Sequence, residues 1–378
     1  MIAMPDILLV TYEMNQGGTN RVLCELANGF HARGYTVTVI CCTSAGALDS
    51  AFRNSLAQGI GYCALSDTAW SSRLWGQVRT FPGLRRWINA HRPDIVLATG
   101  NNISWFSGLG VLLARPPRPK FFIKTTNPIV RSRDGALVDW LRRKVYSLLF
   151  RKSDGVMTLS DAETRLLQTQ FPKAAAKFST VYNAYVTQRL DAVTPTLAAP
   201  SPPPWIILGV GRLVAQKNFS RLLEAFALVQ TQYGHKDVML QIAGDGEDRA
   251  MLEQKARALG IADTVRFLGF RDDVAQLMAS SHLFVLSSDY EGLPAVVVES
   301  LAANCPVIST DCFANARDLL QNIPGCGISD CSSEDLARAM GGWLAAPPQK
   351  PDLKPYARPY TTDSSVDSHI RAMSEAGQ

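Results

Sequence analysis

The stretch WIILGVGRLVAQKNFSRLLEAF, residues 205–226, joins an apolar segment, a glycine-rich turn and a helical pattern in immediate succession. The segment WIILGV predicts a buried strand, and apolar residues at helical spacing begin at Leu222. Arg212 and Lys217 stand in the turn between the two. A helix start offers unpaired N–H groups and a positive dipole end, so two cations added there predict a site for a diphosphate.

Two other interpretations of this turn stay open. A nicotinamide-type dinucleotide site has the pattern GxGxxG, and here Val214 occupies the position of the third glycine. Arg212 and Lys217 are also compatible with a solvated loop that binds no ligand.

Outward from this stretch, strand and helix patterns alternate along the chain, which is typical of α/β units built on parallel sheets. The strand-like segments are 7–11, 36–41, 95–99, 121–125 and 155–159 in the first half, then MLQIAG, TVRFLG, HLFVLS and CPVIST in the second. Segment 191–204, DAVTPTLAAPSPPP, interrupts the alternation and predicts an extended connector. We therefore expect two doubly wound, Rossmann-like domains, 1–190 and 205–360, and a tail helix within 361–378.

A second chemical signal lies in DYEGLPAVVVESLAANCPVIST, residues 289–310. Glu291 and Glu299 stand eight positions apart, and carboxylates can accept hydrogen bonds from the paired hydroxyls of sugars and ribose. Gly292 permits close backbone approach, and Pro294 suits a first helical turn. The three consecutive valines favour a strand, but the strand-like run that follows favours a helix here. A solvated glutamate on the outer face of such a helix is the alternative for Glu299.

A third signal is the pair Gly17-Gly18, which follows the first strand and precedes an amphipathic helical pattern over 21–33. Successive backbone N–H groups in such a turn can bind an anion. Arg21 falls in the first turn of that helix. Any tight turn can use two glycines, so the pair alone does not separate a site from a simple turn.

Composition and charge restrict the class of protein. The 378 residues are 47% hydrophobic and 19% charged, as in globular proteins, and no apolar run is long enough to span a bilayer. The net charge is +5, but residues 1–200 contain 23 Lys and Arg against 12 Asp and Glu, so the first half is expected to face something anionic. The start MIAMPDILLV has no basic region before its apolar run, and the eight cysteines have no CxxC spacing. We therefore expect a cytoplasmic protein with reduced thiols.

The basic part of the first half includes RSRDGALVDWLRRKVYSLLFRK, residues 131–152. As a helix from Ala136 onward, it combines Arg and Lys with Trp, Tyr, Leu and Phe, a pattern found in helices that lie on anionic membranes. An ordinary packed helix with a solvated basic face is the alternative. Nucleic-acid binding is not expected, since no aromatic-basic platform accompanies the charge.

Several motifs occur together and in order: GGTNR, VYNAY, GVGRLVAQKN, IAGDGED, VRFLGFRDDV and EGLPAVVVESLAANCPVIST. In this combination the chain resembles the retaining glycosyltransferases of family 4 over nearly its full length. The resemblance implies the GT-B fold, in which two Rossmann-like domains face each other across a cleft. It also implies a nucleotide-diphosphate sugar, such as a UDP- or GDP-sugar, as the donor substrate.

The resemblance implies roles for individual residues. Arg212 and Lys217 would neutralise the donor diphosphate, Glu291 would bind the transferred sugar, and Glu299 would hold the ribose hydroxyls. The remaining donor contacts would come from Phe270 and Arg271 at the base, from the backbone at Gly292, Leu293 and Pro294, and from Gly17 and Gly18 in the other domain. The tail helix would pack back on the first domain.

The chain departs from the family at one point. Many relatives carry a histidine after the strand that matches FFIKTT, whereas this chain has Lys124 and Asn127 there. We expect Asn127, Lys124 and Arg21 on the acceptor side, and no catalytic histidine is assigned. No exact Asp-x-Asp pair is present, so neither a metal nor another cofactor is expected.

The resulting functional hypothesis is a transferase that builds bacterial surface polysaccharide or glycolipid from a nucleotide sugar. The acceptor would be a glycan or a polyprenyl-diphosphate-linked sugar, with peripheral contact at the inner face of the membrane. The alternatives are a sugar-nucleotide epimerase or sugar-phosphate synthase of the same fold, and a non-catalytic partner that binds a sugar nucleotide.

Overall fold

The computed structural model describes residues 4–14, 18–44, 53–126, 129, 136–187, 190, 192–193, 204–234, 237–348 and 351–376. The chain divides into two compact units, each with a parallel sheet of its own. Unit 1 comprises residues 1–184 and 362–378, and unit 2 comprises residues 185–361. Of the predicted connector, only residues 192, 193 and 204 lie in the described part of the chain.

Seven parallel strands form the sheet of unit 1, in the order β3-β2-β1-β4-β5-β6-β7. They are β1 (Asp6–Glu13), β2 (Thr36–Thr43), β3 (Gly61–Ala64), β4 (Ile95–Thr99), β5 (Lys120–Lys124), β6 (Gly155–Thr158) and β7 (Phe178–Thr180). Strands β4 and β6 are buried along their whole length, as expected of parallel strands covered on both faces.

Helices connect these strands, and the end of the chain supplies another. They are α1 (Gly18–Ala32), α2 (Arg73–His91), α3 (Asn101–Leu112), α4 (Ala136–Lys152), α5 (Asp161–Gln170) and the tail helix (Thr362–Glu375). Ser72 and Ser160 accept backbone N–H groups at the starts of α2 and α5, which satisfies donors that the helix itself leaves unpaired. Gly34, with φ +87°, follows α1 in the left-handed conformation that glycine adopts readily. The tail helix packs against α1 and β6.

Six parallel strands form the sheet of unit 2, in the order β10-β9-β8-β11-β12-β13. They are β8 (Trp205–Val210), β9 (Val238–Ala243), β10 (Val265–Gly269), β11 (Leu283–Leu286), β12 (Val307–Thr310) and β13 (Gly327–Ser329). The helices of this unit are α6 (Phe219–Thr231), α7 (Arg249–Ala258), α8 (Val274–Ala279), α9 (Ala295–Ala302), α10 (Ala316–Leu320), α11 (Ser333–Ala345) and α12 (Lys354–Ala357).

The structure confirms the predicted α/β class and every strand predicted above, with bounds that differ by at most two residues. The valine-rich run after Pro294 forms the helix α9, as the alternation of strands and helices indicated. Three short strands, β3, β7 and β13, were not predicted, and each has only three or four residues.

Two sequence expectations concern cysteines and membrane spans. All eight cysteines are free thiols, and Cys24, Cys41, Cys42, Cys305 and Cys312 are buried. Burial raises the pKa of the Cys42 and Cys305 thiols to about 12. Among the described residues, no helix is both long enough and apolar enough to cross a bilayer.

Candidate functional site

The candidate site lies at the carboxyl edge of the unit 2 sheet. Strand order there reverses between β8 and β11, so the loops that follow these two strands leave the sheet side by side. Open parallel sheets bind their ligands outside the strand ends at such a reversal point. The loop after β8 carries Arg212 and Lys217, and the loop after β11 carries Glu291, so the fold brings together residues that were predicted from two separate motifs.

Lys217 and Glu291 form an ion pair with 2.6 Å between Nζ and Oε1. The Ser288 hydroxyl donates a second hydrogen bond to the same carboxylate oxygen, at 2.8 Å. Glu291 is buried, and Lys217 is partly buried. The carboxylate is therefore held in one orientation by two donors, while the Lys217 ammonium keeps further N–H donors for a ligand anion.

Arg212 follows the Gly211 turn, and its side chain is exposed. Because the arginine fork presents several N–H donors in one plane, an exposed arginine at a loop tip suits a phosphate group. Arg212 thus adds a second cation to the loop that carries Lys217.

An arginine absent from the sequence prediction fixes the loop after β11. Arg221, in the first turn of α6, donates to Asp289 Oδ1 at 2.8 Å and to the Ser287 carbonyl at 2.8 Å. Asn218 donates to the same Asp289 oxygen at 3.0 Å and also caps α6 by accepting the Arg221 N–H. We refer to Asn218, Arg221 and Asp289 as the loop clasp. It ties the start of α6 to the residues just before Glu291.

The backbone of the loop after β8 lies directly on the loop after β9. Gly244 has φ +144°, and a Cβ on it would lie 1.9 Å from the Gly211 carbonyl oxygen. A Cβ on Gly246 would lie 2.3 Å from the Leu213 carbonyl oxygen, and the Leu213 N–H donates to the Asp245 carbonyl at 2.9 Å. The IAGDGED motif therefore needs its two glycines so that one backbone can approach another.

The glycines of the β8 turn have different tasks. A Cβ on Gly209 would lie 2.9 Å from the Leu222 side chain and 3.0 Å from the Phe219 ring, so this glycine lets α6 pack close to the strand. The backbone of Gly211 is the part of the turn that contacts Gly244. The packing of Gly209 and Gly211 does not require a glycine at the third position of the GxGxxG pattern, where this chain has Val214.

Glu299 lies in α9 and is 7% exposed, so it is not on a solvated outer face as the alternative interpretation required. Pro294 lies one residue before α9, at its N-cap position, and Gly292 is partly buried. The Leu293 carbonyl accepts the Tyr185 hydroxyl at 2.8 Å. This contact holds the start of α9 in place within unit 2.

Phe270 and Arg271 follow β10, two strands away from β8. Phe270 is 67% exposed, so its ring is accessible to a ligand. Arg271 donates from Nε to Asp273 Oδ1 at 2.7 Å, which holds its guanidinium at the loop. An exposed aromatic ring beside a fixed guanidinium suits a planar ligand such as a nucleobase.

The structure places the remaining predicted residues in unit 1. Gly17 and Asn127 lie outside the described residues. Gly18 begins α1, and both Gly18 and Arg21 are exposed. Lys124 is 2% exposed, so its position does not support a direct contact with an acceptor. The correction has a physical cause, because Lys124 is the last residue of β5 and its side chain enters the interior.

The amine of Lys124 is occupied within unit 1. Lys124 Nζ donates to Nε2 of His369 on the tail helix at 2.8 Å, and His369 Nδ1 donates to the Ser365 carbonyl at 2.7 Å. Burial lowers the pKa of Lys124 to about 7 and, with the Lys124 charge, holds the pKa of His369 well below its usual value. Glu163 lies close to Lys124, and burial raises the pKa of its carboxyl. This buried cluster was not predicted, since its members are distant in sequence.

In the described part of the chain, no group of three or more His, Cys, Asp or Glu side chains is arranged to hold a metal ion.

Comparison with known families covers both units. The family described as Glycosyl transferases group 1 matches residues 198–359, and the Glycosyl transferase 4-like domain matches residues 17–184. The chain belongs to the group 1, family 4-like glycosyltransferases. This family membership confirms the resemblance found in the motifs and the predicted class of enzyme.

Three relatives of this glycosyltransferase show how far the sequence similarity extends. Uncharacterized glycosyltransferases of Methanocaldococcus jannaschii and Haemophilus influenzae are 27% and 26% identical, over 64% and 81% of this chain and 61% and 80% of theirs. The third, of Campylobacter jejuni, is named N-acetylgalactosamine-N,N'-diacetylbacillosaminyl-diphospho-undecaprenol 4-alpha-N-acetylgalactosaminyltransferase. It is 29% identical over 51% of each chain. The match spans less than two thirds of the first and third of these proteins.

Two solved structures show the same fold. Anabaena Alr3699/HepE in complex with UDP superposes with a TM-score of 0.77 at 18% identity, over 98% of this chain and 100% of that chain. The lipopolysaccharide outer core galactosyltransferase WaaB, in its apo form, has a TM-score of 0.74 at 17% identity, over 98% and 99%. The similarity confirms the predicted GT-B fold class.

Proposed function

We propose that this glycosyltransferase moves a sugar from a nucleotide-diphosphate sugar to a glycan or lipid-linked acceptor, with retention of the anomeric configuration. The product would be a bacterial surface polysaccharide or glycolipid. The observation that carries the proposal is the pairing of Lys217 with Glu291 at the reversal point of the unit 2 sheet, beside the exposed Arg212.

The donor diphosphate would bind to the loop after β8. Glycosyl transfer breaks the bond between the anomeric carbon and a diphosphate oxygen, so negative charge grows on that oxygen in the transition state. Cations that are held in place before the reaction stabilise such charge without reorganisation. Lys217 is held by Glu291 and meets this requirement, and the exposed Arg212 would add a second cation when the donor binds.

The sugar and the nucleoside would occupy the two sides of this diphosphate position. Glu291, fixed by Lys217 and Ser288, would accept hydrogen bonds from hydroxyl groups of the transferred sugar and stabilise its oxocarbenium-like transition state. Glu299 would accept the two ribose hydroxyls, which is consistent with a carboxylate that α9 keeps away from bulk water. The exposed Phe270 ring would stack on the base.

Retention would follow if the acceptor attacks on the face from which the diphosphate departs. In that reaction the acceptor hydroxyl forms the new bond to the anomeric carbon and passes its proton to the departing diphosphate oxygen. The enzyme then supplies no nucleophile, and the absence of a histidine in the KTTNP segment does not prevent the chemistry. The proposal needs no metal and no further cofactor.

The nature of the acceptor is supported by the relatives. The Campylobacter transferase is named for a diphospho-undecaprenol-linked acceptor. An acceptor of that kind is anchored in a bilayer, so the proposal includes peripheral contact of this enzyme with the inner face of the membrane. A soluble glycan acceptor is the other member of the same substrate class.

A panel of UDP-, GDP- and ADP-sugars tests the donor. Purified enzyme is heated with each compound, and the release of nucleoside diphosphate is followed in parallel. A ligand at 100 times its dissociation constant stabilises the folded state by about 2.7 kcal/mol, which is visible as a shift in Tm. We expect one sugar nucleotide to give this shift, and Glu299→Gln to abolish it.

The control variant is Arg257→Gln, which removes an exposed arginine from α7 in the same unit. It should leave the ligand-induced shift unchanged. A folded enzyme that neither binds nor turns over any sugar nucleotide of the panel would overturn the proposal. The anomeric configuration of the product, read from its proton NMR coupling constant, tests retention separately.

A further inference from the structure

Helix α4 presents an apolar face to solvent. Six of its large apolar side chains are exposed, and Leu137, the most exposed of them, reaches 77%. Each of them stands three, four or seven positions from another, which places the six on one half of the helix: Leu137, Val138, Trp140, Leu141, Val145 and Leu148. Leu149 and Phe150, near the end of the helix, are buried in the core of unit 1. We call the six exposed residues the apolar face of α4.

Cations accompany this face. Lys144, Arg151 and Lys152 are exposed, and Lys144 Nζ lies 5.6 Å from the centre of the Trp140 ring. The single carboxylate of α4, Asp139, is bound by Arg143 Nε at 2.7 Å. The exposed side of α4 therefore joins apolar side chains with three positive charges and no negative one.

Helix α2 also combines exposed apolar side chains with a basic composition. Helix α3 packs against α4 and against α2. At the start of α2, Leu74, Trp75 and Val78 are exposed, and α2 contains no Asp or Glu. Two basic helices that both pack against α3 therefore expose several large apolar side chains each, which is more than the scattered single apolar residues of an ordinary protein surface.

The charge pattern separates the candidate partners. A second copy of this chain seated symmetrically on the face would bring identical cations together, which disfavours self-association. A nucleic acid would satisfy the cations but leave the six apolar side chains in water. An anionic bilayer satisfies both, because apolar side chains enter the boundary of the acyl chains while lysine and arginine reach the phosphates.

We propose that the apolar face of α4, with Lys144, Arg151 and Lys152, docks this enzyme on an anionic lipid surface. The inference deepens the proposed function, since a lipid-linked acceptor would be reached from that surface. It also predicts which residues determine the membrane contact. The test below uses neither donor nor acceptor, so its result is independent of whether the proposed transfer reaction is correct.

Binding to vesicles tests the proposal. Full-length enzyme is sedimented with vesicles of phosphatidylcholine alone, or of phosphatidylcholine with about one third phosphatidylglycerol. We expect partitioning to the anionic vesicles that weakens as salt is added. Each lysine or arginine near such a surface contributes roughly fivefold, so Lys144→Gln, Arg151→Gln and Lys152→Gln together should weaken binding about a hundredfold.

A second variant separates insertion from charge attraction. Leu141→Gln with Leu148→Gln keeps every cation but removes two exposed apolar side chains, and we expect it to weaken binding at all salt concentrations. Trp140 fluorescence in the wild type should shift to shorter wavelength on the anionic vesicles, relative to a Trp140→Phe variant, as the ring leaves water.

The matched control removes three exposed arginines elsewhere, with the same change in net charge: Arg257→Gln, Arg266→Gln and Arg371→Gln. Vesicle binding that falls equally in this control would show attraction by net charge alone and overturn the proposal. Absence of binding to anionic vesicles would overturn it as well. A wild-type dimer that the Leu141→Gln, Leu148→Gln variant converts to monomer would assign the face to a second copy instead.

Discussion

The Lys217 ammonium can pair with the Glu291 carboxylate and still bind a phosphate group. The ammonium donates one hydrogen bond to the carboxylate and retains others for a phosphate oxygen. The ion pair therefore positions the cation before the donor arrives, and the cation in turn orients the carboxylate. Loss of either partner should disturb the other.

The first prediction concerns Lys217→Ala. Removal of one positioned donor to developing charge lowers kcat on the order of 10²–10³, and we expect that loss here while the fold is retained. Nucleoside diphosphate release from the preferred sugar nucleotide measures it, with Arg257→Ala as a control in the same unit. A Lys217→Ala enzyme with kcat near the wild-type value would remove the role assigned to this lysine.

The second prediction concerns the loop clasp. Arg221 contacts no expected ligand position, so it is a positioning residue that acts through Asp289 on the loop before Glu291. We expect Arg221→Ala to lower kcat, and the effects of Arg221→Ala and Asp289→Ala to be strongly non-additive. Residues in contact show coupling energies of about 0.5–3 kcal/mol in such cycles.

The double-mutant cycle is measured twice, once by kcat and once by the urea midpoint of unfolding. A purely structural clasp would show coupling in stability only. If the wild type, both single mutants and the double mutant are all folded, coupling in kcat indicates that the loop clasp positions Glu291. Additive effects in both measurements would mean that the 2.8 Å contact has no energetic consequence.

At the residue scale, the sequence supplies candidates for the groups that a ligand would touch, but it does not reveal the groups that hold them. Lys217, Glu291 and Glu299 stand in recognisable motifs that follow strands β8 and β11. Arg221 and Asn218 have an equally local position, but an arginine in a helix is usually a solvated cation. Lys124 and His369 are 245 positions apart, and only the three-dimensional fold shows that they meet.

At the scale of elements, the third prediction concerns the contact between two loops of unit 2. In Gly244→Ala the new Cβ would lie 1.9 Å from the Gly211 carbonyl oxygen, at a φ of +144° that alanine disfavours. We expect the free energy of unfolding to fall by about 3 kcal/mol and donor binding to be lost, because the loop that carries Arg212 must move. Denaturant unfolding and the ligand-induced Tm shift measure the two effects.

Gly342→Ala provides the comparison in the same unit. Gly342 lies inside α11, and a Cβ there would meet nothing within 4 Å. Alanine is favoured over glycine in a helix interior, so stability should rise by up to roughly 1 kcal/mol. If both variants behaved alike, the close approach of the two backbones would not explain the effect of Gly244→Ala.

The elements that were predicted are the ones with a strong local pattern. Long apolar strands such as β1 and β8 are bounded by helical patterns and glycines, so their positions can be predicted from the sequence. The short strands β3, β7 and β13 have three or four residues, too few for a period to be read. They complete the edges of the sheets because neighbouring strands supply their hydrogen bonds. Helix α9 contains three valines, and tertiary context prevails there over β propensity.

At the scale of the whole molecule, unit 1 is assembled from both ends of the chain. The tail helix returns to it and buries His369 against Lys124 of β5. Sequence patterns predicted the two sheets, but a tail of mixed polarity does not reveal its own docking surface. The buried amine, imidazole and nearby Glu163 carboxyl make the stability of this unit depend on pH.

The fourth prediction concerns the dependence of stability on pH. The folded pKa of His369 is depressed, so below about pH 6.5 the unfolded chain takes up a proton that the folded state does not. The free energy of unfolding should therefore fall as pH decreases, by up to about 1.4 kcal/mol per pH unit from this group. Lys124, with its pKa lowered to about 7, acts in the same direction between pH 10 and pH 7. Glu163 acts oppositely above pH 4.5, since its pKa is raised.

Urea unfolding between pH 7 and pH 5 covers the range in which His369 titrates in the unfolded chain, and a variant without the ring separates its contribution from that of Glu163. His369→Gln should flatten the pH dependence in that range, because the titrating ring is gone while a polar group remains. His91→Gln, which replaces an exposed histidine of the same unit, should leave the slope as it is in the wild type. An unchanged slope in His369→Gln would show that other groups produce the acid instability.

The distribution of thiols provides a ready-made attachment point for a spectroscopic probe. Of the eight free cysteines, seven are buried or partly buried, and only Cys331, just beyond the carboxyl end of β13, is exposed. Cys331 lies close enough to Arg221 and Asp289 for electrostatic interaction with its thiol. A maleimide dye should therefore attach at this position without prior mutagenesis, and its emission should report on changes near the loop clasp.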